Sequence, residues 1–468
     1  LVTTFFDRNV VFSSTKEEAQ IQIEIKDQEI NLFCQMDGET HKPQRKNFEI
    51  SKDEDYRNRL KRELFVLFQE ISKRTPLWGI LQGIRPTKLV YKLARNLGLD
   101  LIQDREKIVV LMEEEYLLSR EKAKLLVQIA IKESAHVYQF NSKKKYYSVY
   151  VGIPFCPSRC TYCSFTSNLL SQWESQIDHY VDALLYEIRE FFAMMKESPQ
   201  TKQISSLYIG GGTPTSLSTQ QLDRLISEIR EVIPFEELQE FTVEAGRPDT
   251  ITREKLEVLK RHKVNRISIN PQTMNQETLD RIGRKHCVDE IVQAMEWAKE
   301  IGFERINMDL ILGLPGENEK MVINTLDQVL KMEPSDITVH TLAIKRTSDL
   351  RERQKKSDFL SREEMQNIME ATTKRIMNQG NYEPYYLYRQ KNMIGQLENI
   401  GYCKGNAIGK YNIEMMEECI DIIAFGAGSS SKFLNESGVE RVENLKNVHE
   451  YMERIDELVD RKKAAFFK

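Results

Sequence analysis

The sequence has 468 residues, with 67 Lys plus Arg against 71 Asp plus Glu and a formal net charge of −4. At roughly 100–200 residues per domain, this predicts about three domains, enough to bury a core without disulfide staples. The balanced charge gives no support for a nucleic-acid partner, and 40% apolar with 29% charged residues describes a globular chain rather than a disordered one.

The uncharged stretch Gln203 to Leu222 carries three successive glycines, a proline and many hydroxyls, so no membrane span is expected. No basic-then-apolar leader opens the sequence. Seven cysteines is a sparse, odd count, and Cys156, Cys160 and Cys163 lie within eight residues. That spacing suits an intracellular metal site better than a secreted disulfide framework, and the expected compartment is the cytoplasm.

In chain order, Ile21, Ile23 and Ile25 alternate with polar residues, Asp27-Gln28 follows, and Ile30, Leu32 and Cys34 alternate again. This predicts a β-hairpin. From Asp53 the period becomes helical through Leu60, Leu64, Leu67, Phe68 and Ile71. Residues 78–86 read as a turn or loop. Pro86 opens a helix through Leu89, Leu93 and Leu97 that Gly98 stops. Helical patterns follow near 104–117 and 119–140. Residues 1–142 are therefore expected to form a small α+β accessory domain. The basic run Lys143 to Lys145 reads as a solvated linker.

Residues 143–345 then repeat strand, loop and helix. The expected strands are 146–151, 206–209, 240–244, 266–269, 305–310 and 336–341. Helices are expected at 176–196, 219–232, 252–262, 288–301 and 318–332. Such alternation predicts an α/β fold with a parallel sheet and crossover helices. Six units make an open or partial barrel, with functional residues at the C-terminal ends of the strands. Residues 346–468 break the pattern. A charged segment runs from Lys345 to Lys356, a helix spans 361–379, and the aromatic run Tyr382 to Tyr388 follows. A short buried strand at 420–425 and a final helix near 444–460 complete an expected α+β cap.

The strongest chemical signal is Cys156-Pro157-Ser158-Arg159-Cys160-Thr161-Tyr162-Cys163, directly after the first barrel strand. Three thiolates at this spacing can hold three corners of an iron–sulfur cube and leave the fourth iron open. The alternative is a structural zinc with a distant fourth ligand such as His286 or Cys287. The loop resembles that of the radical S-adenosylmethionine (SAM) enzymes, and its three-then-two spacing is specific for them. The resemblance implies a [4Fe–4S] cluster on Cys156, Cys160 and Cys163, with SAM at the open iron. Reductive cleavage of SAM then gives a 5′-deoxyadenosyl radical. Gly210-Gly211-Gly212-Thr213-Pro214 lacks the Lys-Ser or Lys-Thr of a phosphate loop. It resembles the segment that holds the cofactor's methionine end.

Further residues in order look like the oxygen-independent coproporphyrinogen III oxidases. They are Tyr150, Tyr162, Gly211, Gly212, Thr213, Glu244, Gln272, Arg284 and Asp309, which the resemblance implies as cofactor-binding. It covers about 146–345 and implies a partial (β/α)6 radical SAM barrel. Gly83 to Lys88, Glu244 to Asp249 and Tyr385 to Lys391 look like the HemZ branch of that family. The implied reaction is oxidative decarboxylation of two propionates of coproporphyrinogen III to vinyl groups, giving protoporphyrinogen IX. The implied partners are a tetrapyrrole substrate and an electron donor such as flavodoxin or ferredoxin. A tetra-anionic substrate calls for basic residues, and Arg247, Arg389 and Lys391 are the candidates.

The sequence departs from the family's pattern at three places. Gly152 stands where the pattern has His, Ser164 and Phe165 stand where it has a fourth cysteine, and Ser430 stands at an apolar position of a second SAM site. One SAM site is thus implied and a second is left open. Two rival readings share the cysteines and glycines: a haem-binding or haem-transfer protein, and a radical haem-degrading enzyme.

Overall fold

A computed structural model of the chain describes residues 21–26, 29–36, 39–47, 56–83, 85–140, 145–163, 167–197, 202–344, 359–390, 393–436 and 438–467. It divides into two compact units, Leu1–Ile131 and Lys132–Lys468. Among the described residues, no helix is long and apolar enough to cross a membrane.

The first unit opens with an antiparallel sheet of β1 (Ile21–Lys26), β2 (Glu29–Met36) and β3 (Glu39–Asn47). The expected turn at Asp27-Gln28 lies outside the described residues. β3 was not expected, because Glu-Thr-His-Lys-Pro-Gln-Arg-Lys-Asn has neither apolar alternation nor β-branched enrichment. Helices α1 (Tyr56–Ser72), α2 (Thr87–Leu97) and α3 (Arg105–Tyr116) follow, and α4 (Arg120–Gln139) spans residue 131, where the units divide, so that His136 belongs to the second unit. Pro86 sits immediately before α2, and Gly98 ends it at φ 63° with its N–H on the carbonyls of Ala94 and Arg95.

The second unit is built on one sheet. Its strands are β4 (Lys145–Ile153), β7 (Lys202–Gly211), β8 (Glu240–Glu244), β9 (Arg266–Ser268), β10 (Arg305–Leu312) and β11 (Asp336–Thr341), adjacent and parallel in sequence order. A two-strand pair of β5 (Phe155–Cys156) and β6 (Asn168–Leu169) stands apart from it. The crossover helices are α5 (Ile177–Glu197), α6 (Thr219–Val232), α7 (Arg253–Arg261), α8 (Gln276–Arg281), α9 (Val288–Glu300) and α10 (Glu319–Lys331). Each strand's near-continuous burial reflects a sheet covered on both faces.

The C-terminal third extends this sheet at both edges. After α11 (Arg362–Gly380), β12 (Glu383–Tyr388) and β13 (Asn399–Cys403) add antiparallel beside β11. After α12 (Lys410–Glu417), β14 (Asp421–Phe425) pairs parallel with β4 and is followed by the hairpin of β15 (Ser430–Asn435) and β16 (Gly438–Glu443). Helices α13 (Val448–Glu453) and α14 (Ile455–Phe466) close the chain.

The N-terminal ends of the strands meet α12. Glu240, at the start of β8, accepts the N–H groups of Lys410 and Tyr411 at 2.9 and 3.1 Å and an Arg305 N–H at 2.7 Å. Burial alone would raise its pKa, but Arg305, Arg266 and the two amides outweigh that and hold it below the usual carboxylate range. Glu414 on α12 is fully buried and accepts from Ser148, Ser205 and Ser206, with His136 Nε2 at 3.0 Å. Arg266 and Asp336 pair with almost no exposure.

Candidate active site

A cavity of about 390 Å³ lies within the second unit, inside the usual range for small-molecule sites. Its lining includes Cys156, Cys160 and Cys163 after β4, Gly211 to Thr213 after β7, Glu244 at the end of β8, Gln272 and Arg284 beyond β9, and Asp309 on β10. The strand ends thus bring twelve of the expected residues to one space, Tyr162 and Arg247 among them. Tyr150 is not part of the lining; its ring stacks on Tyr208 and Tyr411, with centroids 6.1 and 6.2 Å away.

The cysteine loop is held on several sides. Thr161 N–H donates to the Ile282 carbonyl at 3.0 Å, and Ser158 Oγ donates to the Gly283 carbonyl at 3.1 Å. Gly283 has φ 78°, and a Cβ there would approach the Arg159 carbonyl to 3.2 Å. Arg284 donates Nε–H to the Tyr162 hydroxyl at 3.3 Å and Nη1–H to the carbonyls of Asn270 and Gly246 at 2.6 and 3.3 Å. One guanidinium therefore ties the loop to the ends of two strands. Burial pushes the Cys156 thiol up to about 11; a metal bound there would have to displace the proton.

The glycine loop is shaped by contact. Gly212 N–H donates to the Ile153 carbonyl at 2.7 Å, and a Cβ on Gly212 would lie 2.6 Å from the Phe155 carbonyl and 3.0 Å from Cys156 Sγ. A Cβ on Gly210 would lie 3.0 Å from a Glu244 carboxylate oxygen. The space against the cysteine and the carboxylate thus exists because these residues lack side chains. Thr213 Oγ1 stands 3.4 Å from Cys156 Sγ.

Two acids on neighbouring walls titrate in opposite directions. Burial raises Glu244 to about 7, with Asp309 adding to it, although the Tyr208 hydroxyl donates to this carboxylate. Asp309 is lowered: His340 and Asn307, whose Nδ2 donates to it at 2.7 Å, together overcome the effect of burial. Gln272 sits at φ 66° with its side-chain oxygen buried and unpartnered. A raised carboxylate, an orphaned amide oxygen and a glycine-lined cradle fit a cofactor carrying an amine, hydroxyls and a carboxylate.

Three thiols on one loop, one of them beside the cradle, likewise fit a cluster held at three corners. No three His, Cys, Asp or Glu among the described residues converge on a single ion, and a cube takes its ligands at separate corners. Of the zinc alternatives, Cys287 is exposed at the start of α9, and His286 is fully buried with Nδ1 3.9 Å from Asp249.

The three basic candidates have different placements. Arg247 lines the cavity, but its guanidinium pairs with Asp249 at 2.7 Å and donates to Ser158 Oγ at 2.9 Å, with Nη1 3.5 Å from Cys160 Sγ. Arg389 is absent from the lining and donates to the carbonyls of Gln396 and Leu397 at 2.9 and 3.4 Å. Lys391 lies outside the described residues.

The structure adds residues that the sequence reading passed over: Asn270, Asn307, Thr338, His340, Tyr386, Tyr388, Gln390 and Asn399 also line the cavity. Alternation carries part of this signal. Thr338 and His340 share one face of β11, and Tyr386 and Tyr388 share one face of β12, with Arg389 out of phase. Gly152 lies against β14, where a Cβ would come 3.3 Å from the Phe425 carbonyl.

Comparison with known proteins agrees with this geometry. The radical SAM superfamily model matches residues 150–329. The chain is 39% identical over 399 residues to the oxygen-independent coproporphyrinogen-III oxidase-like protein HemZ of Bacillus subtilis, covering 85% of this chain and 78% of that one. It is 32% identical over 324 residues to the heme chaperone HemW of Lactococcus lactis, covering 68% and 78%. Among solved structures, coproporphyrinogen III oxidase (HemN) from Escherichia coli superposes with a TM-score of 0.54 at 24% identity, covering 70% of this chain and 73% of that one. That likeness is one of fold.

Proposed function

The chain belongs to the radical SAM family of oxygen-independent coproporphyrinogen III oxidase-like proteins, in its HemZ-like branch, and from that premise we propose that it converts propionate side chains of coproporphyrinogen III to vinyl groups. The cofactors of the family are a [4Fe–4S] cluster and SAM. When bound, they supply a carbon-centred radical able to take a hydrogen atom from the substrate.

The chain's own residues do the rest. Cys156, Cys160 and Cys163 are the cluster ligands in this reading, and Arg247, Arg284 and Ser158 hold their loop rigid. Gly212 opens the space beside Cys156 and Gly210 that beside Glu244, while Glu244, Gln272 and Asp309 offer acceptors for the amine and hydroxyls of SAM. Tyr208 fixes the Glu244 carboxylate. The apolar strands and the helices packed on them keep bulk water from the radical.

One observation carries the substrate assignment. The likeness to the HemZ relative runs over 399 residues, whereas the superfamily match spans only 150–329. Strands β12 and β13, outside that core, supply a wall of the same cavity. The HemW relative supports a second reading, in which the same barrel carries haem. Anaerobic incubation of the reconstituted protein with coproporphyrinogen III, SAM and a reductant separates them. Protoporphyrinogen IX and 5′-deoxyadenosine are expected; unchanged coproporphyrinogen beside stoichiometric haem binding would favour the carrier.

A further inference from the structure

A substrate with several carboxylates needs hydrogen-bond donors, yet the arginines that line the cavity are engaged elsewhere. Arg247 holds Asp249 and the cysteine loop, Arg266 pairs with Asp336, and Arg284 serves two carbonyls and Tyr162. The wall formed by β11 and β12 is different. Here His340 Nδ1 lies 3.1 Å from the Tyr388 hydroxyl, and Nε2 lies 3.7 Å from Asp309 Oδ2. Gln390, two residues beyond Tyr388, brings its side-chain amide to the same wall. All four residues line the cavity.

This wall is held firmly. Asn399 accepts the Thr341 N–H at 2.8 Å and reaches the Tyr388 carbonyl at 3.4 Å, fixing β12 to the end of β11. The Tyr386 ring lies parallel to that of Tyr388 at 6.3 Å, in room left by Gly401, where a Cβ would come within 1.9 Å of it. A phenol has one hydrogen to give. While His340 Nδ1 accepts it, the hydroxyl offers nothing further. With the ring proton on Nδ1, the imidazole donates to the phenol oxygen, and the phenol hydrogen is free for an anion. The groups in contact with the imidazole are Asp309 from β10 and Tyr388 from β12.

We propose that Tyr388 and Gln390, backed by His340, form the subsite that holds one propionate of the substrate. This rests on the tetrapyrrole reading above and identifies a carboxylate anchor within it. Asp309 keeps its place as a cofactor acceptor, and His340 is a positioning residue that acts through the Tyr388 hydroxyl.

The test is a fluorescence titration of the full chain with coproporphyrin III, the air-stable tetra-acid, beside its tetramethyl ester. Tyr388→Phe keeps the ring and its stacking and removes the hydroxyl. It should weaken tetra-acid binding about tenfold, the loss expected for one hydrogen bond to a charged group, and leave ester binding near the parent's. His340→Leu should weaken the tetra-acid similarly, and the double variant should be little worse than either alone, because the two act as one unit. Gln390→Met is a second arm that spares the ring packing and should cost several-fold. Parent-like affinity for the tetra-acid in Tyr388→Phe and Gln390→Met overturns the subsite and leaves the tetrapyrrole reading standing. Failure of the parent to bind coproporphyrin III overturns both.

Discussion

At the N-terminal ends of the barrel strands, Glu240 meets Arg305 and two amide N–H groups, Arg266 meets Asp336, and Glu414 gathers three serine hydroxyls and His136. At the C-terminal ends of the same strands, Glu244 is raised to about 7, Gln272 has an orphaned oxygen, and three glycines leave a cradle beside a cysteine. The floor pairs each of its buried charges with an opposite charge or hydrogen-bond donors of the chain itself, leaving single nitrogens such as Arg266 Nε and Arg305 Nε without a partner. The mouth leaves polar groups for something the chain does not contain. A buried polar group that is paired marks structure, and one left unpaired at a concave surface marks a ligand.

Substitutions at the two ends should therefore fail in different ways. The largest effect is expected at the mouth. Replacing Cys156, Cys160 or Cys163 with Ala should abolish the visible absorbance of the cluster after anaerobic reconstitution, with folding retained. Full iron retention in any of them would remove that cysteine from the ligand set.

At the floor, Asp336→Asn leaves Arg266 buried without its counter-charge. The expected cost is about 3–5 kcal/mol, read as a lower denaturation midpoint, with the cluster absorbance per folded molecule retained. A variant as stable as the parent would show that Glu240 already neutralises Arg266.

Glu244 gives a pH signature. Its folded carboxyl holds its proton to about 7, while the unfolded chain releases it near 4.5. Between those values the folded state binds more protons, so this contribution is fully present below 4.5 and is lost as pH rises through 7. The loss is on the order of 3 kcal/mol at most. Glu244→Gln should flatten the slope in denaturation curves taken at about pH 5 and about pH 8; an unchanged slope would assign it to other groups.

Gly211→Val places a branched side chain at φ 115°, with its Cβ 3.0 Å from the Ile153 carbonyl. Backbone strain of about 1–3 kcal/mol is expected, and equilibrium dialysis should show SAM affinity reduced about tenfold while cluster absorbance persists. Parent-like SAM binding would move the cofactor elsewhere. The smallest effect belongs to neither end. Arg253→Ala removes exposed pairs with Glu257 and Glu300 and should leave the denaturation midpoint close to the parent's.

Much of the barrel was legible because its signals are local. Apolar strands between helical periods placed all six parallel strands, and the cysteine spacing and glycine run marked two strand-end loops. The rest depends on contacts between distant segments. Nothing in Ile420 to Phe425 says that this strand pairs with β4, or that β12 and β13 join the far edge of the same sheet. Nothing in the sequence marks Glu414 as the acid to which Ser148, Ser205 and Ser206 are brought. The sequence does not reveal that Asp249, two residues on from Arg247, engages its guanidinium. His340 carries no motif. Its meaning comes from Asp309 and Tyr388, which lie far from it in the sequence and beside it in the fold.

The most direct test of the central claim is to count carbon dioxide. Coproporphyrinogen III labelled in its propionate carboxyl groups, incubated anaerobically with reconstituted protein, SAM and reductant, should release two labelled carbon dioxide molecules per protoporphyrinogen IX formed, and none with Cys160→Ala. Retention of all the label by a preparation that carries its full cluster and cleaves SAM would contradict the decarboxylase assignment.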